Sequence, residues 1–422
     1  MFTRILTIAA FAATMFVTAS QAASLKTLWE FSCGAKDGCL PSGTGLTTDV
    51  TGALYGATAY GGSAWGVAFE LHAQPDHPRW KLDTIGTFSV NRPRSGLIPT
   101  NVVQGAFGVY YGTTAGGGKF GYGTIFQLVP PNEGETRWTE NVIYNFCLKF
   151  ACRDGSAPLD GLVADSGGAL YGVTRYGGTD DGGVLFVLRP PQDFGGQWSY
   201  SEIHSFCSKR NCTDGRLPSG RLSIDQFGNI YGTTQYGGPN DAGIAYEIND
   251  FVFRKIYAFC SKRNCKDGRL PAAGLLPSND AFGNIYGTTS SGGAFGSGTV
   301  FKLTFNGEVD MWSETVLYSF CSEQQCSDGQ TPGSSVIFDQ AGNMFGTTAA
   351  GGASGNGTVY RMSPIGQTGN WTHSVVYSFC SQADCRDGKA PMAELLREGA
   401  ILYGTTLAGG FYGWGTVFQL RP

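Results

Sequence analysis

Three sets of residues have the types and the spacing to support chemistry, and all three recur along the chain. One set is aromatic, one is acidic and one consists of cysteine pairs. Each accompanies a motif of the form Tyr-Gly-Thr-Thr, then Gly-Gly, then Gly-Thr-Val-Phe, which repeats about every 58 residues. The seven copies are centred on Tyr55, Tyr111, Tyr171, Tyr231, Tyr286, Phe345 and Tyr403.

The aromatic residues lie in the glycine-rich loop after each motif. Flat rings on an exposed loop could stack on the faces of sugars, while nearby Asp180, Asp181 and Asp241 could accept hydrogen bonds from hydroxyls. The alternative is that the rings only pack on neighbouring loops. The candidate ligand-binding set is Tyr60, Trp65, Phe120, Tyr122, Tyr176, Tyr236, Phe295, Tyr412 and Trp414.

The acidic set consists of an Asp-Gly step just beyond each of five cysteine pairs. Carboxylates gathered around a channel could hold a cation or act as a general acid and base. The alternative is a turn in which each Asp bonds backbone N–H groups, and strict repetition favours it because catalysis requires only one asymmetric site. The set is Asp154, Asp214, Asp267, Asp328 and Asp387.

The twelve cysteines form six close pairs, a pattern typical of local disulfides in an exported chain. Zinc is the alternative, but the four histidines do not recur with the pairs, and we expect no metal or other cofactor. The predicted bridges join Cys33 to Cys39, Cys147 to Cys152, Cys207 to Cys212, Cys260 to Cys265, Cys321 to Cys326 and Cys380 to Cys385.

Two adjacent repeats carry nearly identical basic loops, 208–212 and 261–265, with Arg216 and Arg269 just beyond them. These cations could receive an acidic polymer, or they could form an ordinary solvated surface. The sequence has no Gly-x-Ser-x-Gly elbow and no His-Glu-x-x-His motif. Catalysis by carboxylates alone, as in glycosidases, stays open.

The first residues have the pattern of a secretory signal peptide. Arg4 precedes an apolar run, and Ser20-Gln21-Ala22 fits a cleavage site, so we predict a signal peptide over residues 1–22. With 29 basic and 33 acidic residues, the chain has no general attraction for nucleic acid or anionic lipid. We expect no membrane span in the mature chain and an exported protein, either periplasmic or extracellular.

Each repeat contains four runs of strand character, which predicts an all-β fold. The third repeat shows them at 159–165, 169–174, 183–188 and 198–206, and Asp-Gly turns such as 225–229 join the first two runs as a hairpin. The region 23–422 begins with a lone fourth-type strand and ends after a third-type strand. We therefore predict a single domain, a seven-bladed β-propeller of four-stranded antiparallel blades, whose ring closes when the N-terminal strand joins the last blade.

Strand direction assigns the loops to the two faces of the ring. The loop after the second strand and the link from the fourth strand to the next blade emerge on one face, so the Tyr-Gly-Gly loops and the cysteine loops should lie together. The opposite face should carry the Asp-Gly hairpins that join the first two strands of a blade, such as 225–229, and not the aspartates of the cysteine loops. The fourth strands repeat a tryptophan, as at Trp138 and Trp198, which we expect to pack between sheets.

The motif as it stands in 402–406, 409–410 and 415–418 resembles the GloVer-type tandem repeat of exported bacterial proteins. The resemblance covers essentially the whole mature chain. It implies export and a repeat architecture, and it brings no catalytic residue to this chain.

The main hypothesis is an exported propeller that acts as a binding or interaction module, with glycans or cell-surface polymers as ligands. One alternative is a carbohydrate-active hydrolase or lyase that uses one of the repeated aspartates deep beside the channel. Another is a structural scaffold of the cell envelope with a protein partner.

Overall fold

The structure is a computed structural model. It describes residues 23–41, 45–62, 65–75, 77–89, 95–193, 196–278, 283–366 and 368–422. The predicted signal peptide and part of the Asp-Gly hairpin at 280–284 lie outside the described residues.

The described part of the chain folds into strands with short 3-10 turns and no α-helix, because period-2 apolar patterns alternate with glycine-rich turns. The strands are β1 Ser24–Glu30, β2 Cys39–Pro41, β3 Thr47–Thr48, β4 Leu54–Tyr60, β5 Val67–Gln74, β6 His77–Thr87, β7 Gly96–Gln104, β8 Tyr110–Gly117, β9 Thr124–Val129, β10 Thr139–Asn145, β11 Leu162–Ala164, β12 Leu170–Thr174, β13 Val184–Arg189, β14 Ser199–Ser205, β15 Arg216–Ile224, β16 Ile230–Tyr236, β17 Ile244–Asn249, β18 Val252–Ala258, β19 Leu276–Pro277, β20 Ile285–Thr289, β21 Thr299–Asn306, β22 Met311–Ser319, β23 Gln330–Pro332, β24 Ile337–Phe338, β25 Met344–Ala350, β26 Thr358–Pro364, β27 Trp371–Ser378, β28 Leu396–Glu398, β29 Ile401–Thr406 and β30 Thr416–Arg421.

These strands form seven antiparallel blades in a ring, so the predicted seven-bladed β-propeller is confirmed. Blades 2 to 5 are β7–β10, β11–β14, β15–β18 and β19–β22. In blades 1 and 6 the first strand is divided, into β2 and β3 and into β23 and β24. Blade 7 contains β28, β29, β30 and β1, and β1 pairs antiparallel with β30 from Ser24 opposite Arg421 to Glu30 opposite Thr416.

The glycine of each Tyr-Gly-Thr-Thr motif makes room for a buried ring on the next strand. A Cβ added at Gly172 would lie 2.6 Å from Cζ of Phe186, and one at Gly287 would lie 2.6 Å from Cζ of Phe301. Both rings are fully buried. Any larger residue at this position would displace the ring from the core, which is why the motif requires glycine.

A second glycine joins each blade to the next. Gly183 has a φ of +100°, and a Cβ added there would lie 2.5 Å from Cδ of Pro218 in the following blade. The contact recurs around the ring, and between blades 7 and 1 it joins Gly415 to Pro41, with the Cβ 2.7 Å from Cδ. Glycine alone combines this positive φ with so close an approach.

Aromatic rings fill the spaces between blades. The Tyr111 and Trp198 ring centroids are 5.5 Å apart and the planes cross at 71°, and Tyr286 and Trp371 meet in the same way at 6.2 Å. Trp80 contacts Tyr403 at 6.4 Å, which links blade 1 to blade 7. The tryptophans of the fourth strands therefore contribute to packing between sheets.

Candidate functional site

One face of the ring carries both the cysteine loops and the Tyr-Gly-Gly loops. The N–H of Gly178 donates to the carbonyl of Cys152 at 3.0 Å, and the N–H of Gly293 donates to that of Cys265 at 2.9 Å. The same bond joins Gly238 to Cys212, Gly352 to Cys326 and Gly410 to Cys385. We call this the cysteine face, and its two loop types form one hydrogen-bonded surface.

Each cysteine loop is closed by a disulfide and braced from within by an aspartate. All six predicted pairs are bridged. In the loop between blades 4 and 5, Asp267 accepts from the N–H groups of Ser261 at 2.8 Å and Lys262 at 3.2 Å, and from the Tyr257 hydroxyl at 2.9 Å. Its side chain is fully buried.

The other members of the acidic set have the same arrangement. Asp154, Asp214, Asp328 and Asp387 are all at most 1% exposed and accept from the two residues after the first cysteine of their loop. Burial opposes ionisation of Asp328, but hydrogen bonds from Tyr318 and Ser322 outweigh it and lower its pKa. Carboxylates held in this way stabilise loops, and their oxygens are already occupied by protein donors.

The cysteine loop between blades 3 and 4 departs from this pattern. His204 replaces the tyrosine, and its Nε2 atom lies 3.2 Å from Oδ2 of Asp214. Burial lowers the pKa of His204 although Asp214 opposes that shift. The ring also stacks on Phe253 at 3.8 Å, so it has a packing role in addition to the polar contact.

The aromatic set is largely accessible on the cysteine face. Trp65 and Tyr236 are partly exposed. The other members of the set are more exposed, namely Phe120 at 36%, Tyr60 and Tyr176 at 41%, Trp414 at 44%, Tyr122 at 50%, Tyr412 at 54% and Phe295 at 55%. Phe411, which sequence analysis did not select, is exposed at 60% and lies edge-on against Tyr412 at 5.0 Å.

Cations lie over several of these rings. The Arg216 guanidinium lies 5.0 Å from the centroid of Tyr236, Arg175 lies 5.9 Å from that of Tyr176, and Lys119 lies 5.1 Å from that of Phe120. These cations orient the rings, and they place positive charge beside surfaces that a ligand could stack on.

The carboxylates near the rings have internal partners. Asp181 accepts from the N–H of Gly177 at 2.7 Å, and Asp241 accepts from that of Gly237 at 2.8 Å. Asp241 also receives two bonds from Arg216, from Nε at 3.1 Å and Nη2 at 2.9 Å, and this pairing, despite partial burial, holds its pKa below the ordinary value. Asp180 is exposed.

The two basic loops occupy neighbouring blades, but part of their charge is neutralised. Arg216 is paired with Asp241, and Nζ of Lys262 lies 2.7 Å from Oε2 of Glu314. Burial raises the pKa of Glu314, and the ammonium of Lys262 opposes that shift. This region therefore offers less free positive charge than its sequence suggests.

A second candidate site lies in the central channel, and sequence analysis did not select it. Segments of blades 3 to 7 line a cavity of about 200 Å³ that includes Asp160, Arg221 and Glu394. The channel-lining position lies within the first strand of a blade or close to it, one residue before a buried apolar side chain. The seven residues at the Arg221 and Glu394 position are Gly45, Asn101, Gly161, Arg221, Gly274, Ser335 and Glu394.

At the repeat positions that line the channel, most blades have a small, neutral residue. Asp160, Arg221 and Glu394 are the exceptions. Asp160 occupies a position that holds Thr100, Gly220, Ala273, Ser334 and Ala393 in other blades. Comparing the repeats column by column would have revealed all three charges. Their identity depends on the blade, which is the asymmetry that a specific site needs.

An ion pair spans the channel. Nη1 of Arg221 in blade 4 lies 4.0 Å from Oε2 of Glu394 in blade 7. Both residues also line a further cavity of about 200 Å³ beside Val163, Ser223 and Leu276, so the pair separates two compartments. Burial raises the pKa of Glu394, and Arg221 counteracts that shift.

Asp160 has less compensation than the other two charges. It accepts a hydrogen bond from the Gly220 backbone, whereas its Oδ2 atom is buried with no partner in the described part of the chain. Burial raises the pKa of Asp160 to about 6, against the effects of Gly220 and the more distant Arg175. Arg175 itself donates to Oε1 of Gln235 at 3.0 Å.

No group of three or more His, Cys, Asp or Glu side chains in the described ranges is arranged to hold a metal ion. Within the same ranges, no helix is long and apolar enough to cross a membrane.

Comparison with known families decides the relationship of this chain. The model of the Gloeobacter/Verrucomicrobia repeat matches residues 87–282 and 276–422, which is most of the chain. The chain belongs to this family. The predicted resemblance to GloVer-type repeats is therefore confirmed. No curated protein matches the chain.

Solved structures with a similar fold have low sequence identity to this chain. The extracellular domain of BT4673 from B. thetaiotaomicron, described as a hybrid two component system, is 10% identical over 93% of this chain, with a TM-score of 0.51. This chain spans 39% of the length of that protein. A protein of unknown function from Dyadobacter fermentans DSM 18053 is 13% identical, over 83% of this chain and 96% of its own, with a TM-score of 0.40. The first of these likenesses shows the fold alone.

Proposed function

We propose that this propeller is an exported binding module and that its cysteine face binds glycans or surface polymers. The observation that carries the proposal is the set of exposed rings among glycines, of which Tyr176, Tyr412 and Trp414 are each more than 40% exposed. Large exposed aromatic rings on one face of a soluble domain are typical of an interaction surface.

The braced loops give the rings a firm base. Disulfides and buried aspartates fix the loop backbone, so little conformational entropy is lost when a ligand stacks on a ring. Tyr176 lies beside the cation of Arg175, and Tyr236 lies beside that of Arg216. A polymer of sugar units would span several blades and combine weak stacking contacts into a useful affinity.

Export is part of the same proposal. Six disulfides in a chain of this size are typical of an oxidising compartment. We propose that residues 1–22 direct the chain to the periplasm or the medium. The hydrolase or lyase alternative loses support, because every aspartate in its acidic set braces a loop.

The test is electrophoresis of the protein through gels that contain neutral or acidic polysaccharides, with released sugar assayed in parallel. We expect retardation without sugar release, and we expect Trp65→Ala/Tyr176→Ala/Trp414→Ala to weaken binding at least about tenfold, since truncated aromatic anchors usually cause most of the loss at an interface.

The matched control removes exposed rings from the hairpins of the opposite face. Phe107 is 98% exposed and Phe227 is 79% exposed, and Phe107→Ala/Phe227→Ala should bind like the wild type. Equal retardation of the triple variant and the wild type would contradict the assignment of the face. Release of sugar by the wild type would support an enzyme instead.

A further inference from the structure

The channel cavity has the features of a ligand site independent of the aromatic surface. It lies near the cysteine face, since Pro158, two residues before Asp160, meets Gly123 of the preceding Tyr-Gly-Gly loop. Its walls come from five blades and are mainly small residues, including Gly220, Gly274 and Gly333. Small walls around an open volume leave the charged side chains as its main polar features.

The propeller does not need these charges to form. At the same repeat positions other blades have glycine, alanine, serine, threonine or asparagine, and those blades have the same four-stranded arrangement. Burying a carboxylate without full compensation costs free energy. A charge that the fold does not require, in a place where it is costly, calls for another explanation.

Asp160 differs from the other two charged residues because one of its carboxylate oxygens lacks a hydrogen-bond donor in the described part of the chain. Arg221 and Glu394 lie within 4.0 Å of each other across the channel. Asp160 has one backbone donor, from Gly220, and its Oδ2 atom has none among the described residues. Rotation about χ2 of an aspartate is soft and exchanges its two oxygens, so a donor that enters the cavity can reach the unused capacity of this carboxylate.

The local charge selects the kind of donor. When both are ionised, Asp160 and Glu394 carry two negative charges against the one positive charge of Arg221. Arg175 does not line the cavity, and its guanidinium donates to Gln235. A site with two carboxylates and a guanidinium is a poor fit to a divalent metal, which prefers six or more oxygen ligands. A compact organic cation requires only one charge-assisted hydrogen bond.

We propose that the channel cavity binds a small primary ammonium group, with Asp160 as its acceptor and the Arg221–Glu394 pair as the floor of the site. The size of the cavity, about 200 Å³, suits a small amine or the amino-bearing end of a larger molecule. The site stands apart from the aromatic surface, so either assignment can fail without the other.

The experiment measures binding of 2-aminoethanol to the full chain by calorimetry or ligand-observed NMR, with ethylene glycol as its neutral counterpart. The amine should bind and the diol should bind at least about tenfold more weakly, as expected for loss of a charge-assisted hydrogen bond. Asp160→Asn should weaken amine binding by a similar factor. The control Asp193→Asn removes an exposed carboxylate on the opposite face and should change nothing.

A second measurement holds even if Asp160→Asn folds poorly. Amine binding to the wild type should weaken as the pH falls through about 6, where Asp160 becomes protonated. Equal binding of amine and diol would overturn the proposal, and so would an Asp160→Asn variant that folds and binds like the wild type. Calcium alone binding in an Asp160-dependent manner would replace it with a metal site.

Discussion

The cysteine loops and the central channel use aspartates in opposite ways. Asp267 in a cysteine loop accepts hydrogen bonds from two backbone N–H groups and a tyrosine hydroxyl. Asp160 in the channel accepts one backbone bond and has an oxygen without a donor in the described chain. The first arrangement recurs from blade to blade and the second occurs in a single repeat.

The difference separates what the fold needs from what a ligand would need. A turn must be stabilised in every blade, so its residues repeat with the period of the chain. A specific site needs different groups at equivalent positions, as the channel has in Asn101, Arg221 and Glu394. The aromatic loops also vary, from Phe295 in blade 5 to Tyr412 and Trp414 in blade 7.

The largest expected effect on stability comes from removing the buried aspartate of a cysteine loop. Asp267→Ala leaves buried N–H groups of the cysteine loop without an acceptor and should lower the free energy of unfolding by roughly 3 kcal/mol. Urea or thermal denaturation measures it. Asp193→Ala, which removes an exposed carboxylate, is the control and should be nearly neutral. A fully stable Asp267→Ala variant would mean that the disulfide alone holds the loop.

The disulfide of the same loop should contribute somewhat less than Asp267 to the free energy of unfolding. Cys260→Ala/Cys265→Ala removes a bridge that spans 5 residues in sequence, and the chain-entropy model gives a loss of about 2 kcal/mol. The wild type and the variant should converge in stability once a reductant opens the bridges. A difference that persists in reductant would show that the loss comes from packing.

A smaller, pH-dependent effect is expected at His373, which stacks on the brace tyrosine Tyr318 at 4.1 Å. Burial lowers the pKa of His373 to about 4, against the pull of Asp328 and Glu323. Below its unfolded pKa of about 6.5, the unfolded chain binds a proton that the folded chain does not. The stability of the wild type is therefore fully present above that pH and is lost as the pH falls towards 4.

The matched variant is His373→Phe, since blade 4 has Phe253 at this position. Relative to the wild type, it should gain roughly 1 to 2 kcal/mol between pH 6.5 and 4 and little above pH 7. Thermal denaturation over this pH range tests it. A constant difference at every pH would assign the effect to packing alone.

The smallest expected effect has the opposite sign from the first. Because the folded-state pKa of Asp160 is raised to about 6, its charged form is disfavoured in the folded chain. A carboxyl pKa raised from 3.8 to about 6 corresponds to roughly 3 kcal/mol at pH 7, and the partial exposure of the side chain and the loss of its bond from Gly220 offset much of it. Asp160→Ala should therefore raise the free energy of unfolding by about 1 kcal/mol at pH 7, and the gain should disappear as the pH falls from 6 to 4. If Asp160→Ala instead lowered the free energy of unfolding as much as Asp267→Ala does, Asp160 would be a structural residue. The channel aspartate would then not differ from the aspartates of the cysteine loops.

Much of the fold was predictable from local sequence patterns. The motif spacing, the strand alternation and the cysteine pairs gave the seven blades and the bridges, because each depends on residues close in sequence. Repetition assigned the aspartate of each cysteine loop to a turn. It did not indicate that the aspartate is buried, or that a tyrosine of the preceding strand donates to it, as Tyr257 of blade 4 donates to Asp267. That contact depends on how the preceding strand enters the loop.

The sequence by itself determined the period, the all-β class, the cysteine bridges and the exposed aromatic loops, since repetition and turn chemistry act within each repeat. Only the tertiary structure decided which residues share the axis of the ring. Arg221 and Glu394 are far apart in sequence and come within 4.0 Å because blades 4 and 7 face each other across the channel. Ring geometry is a property of all seven blades together, so no single repeat carries that information.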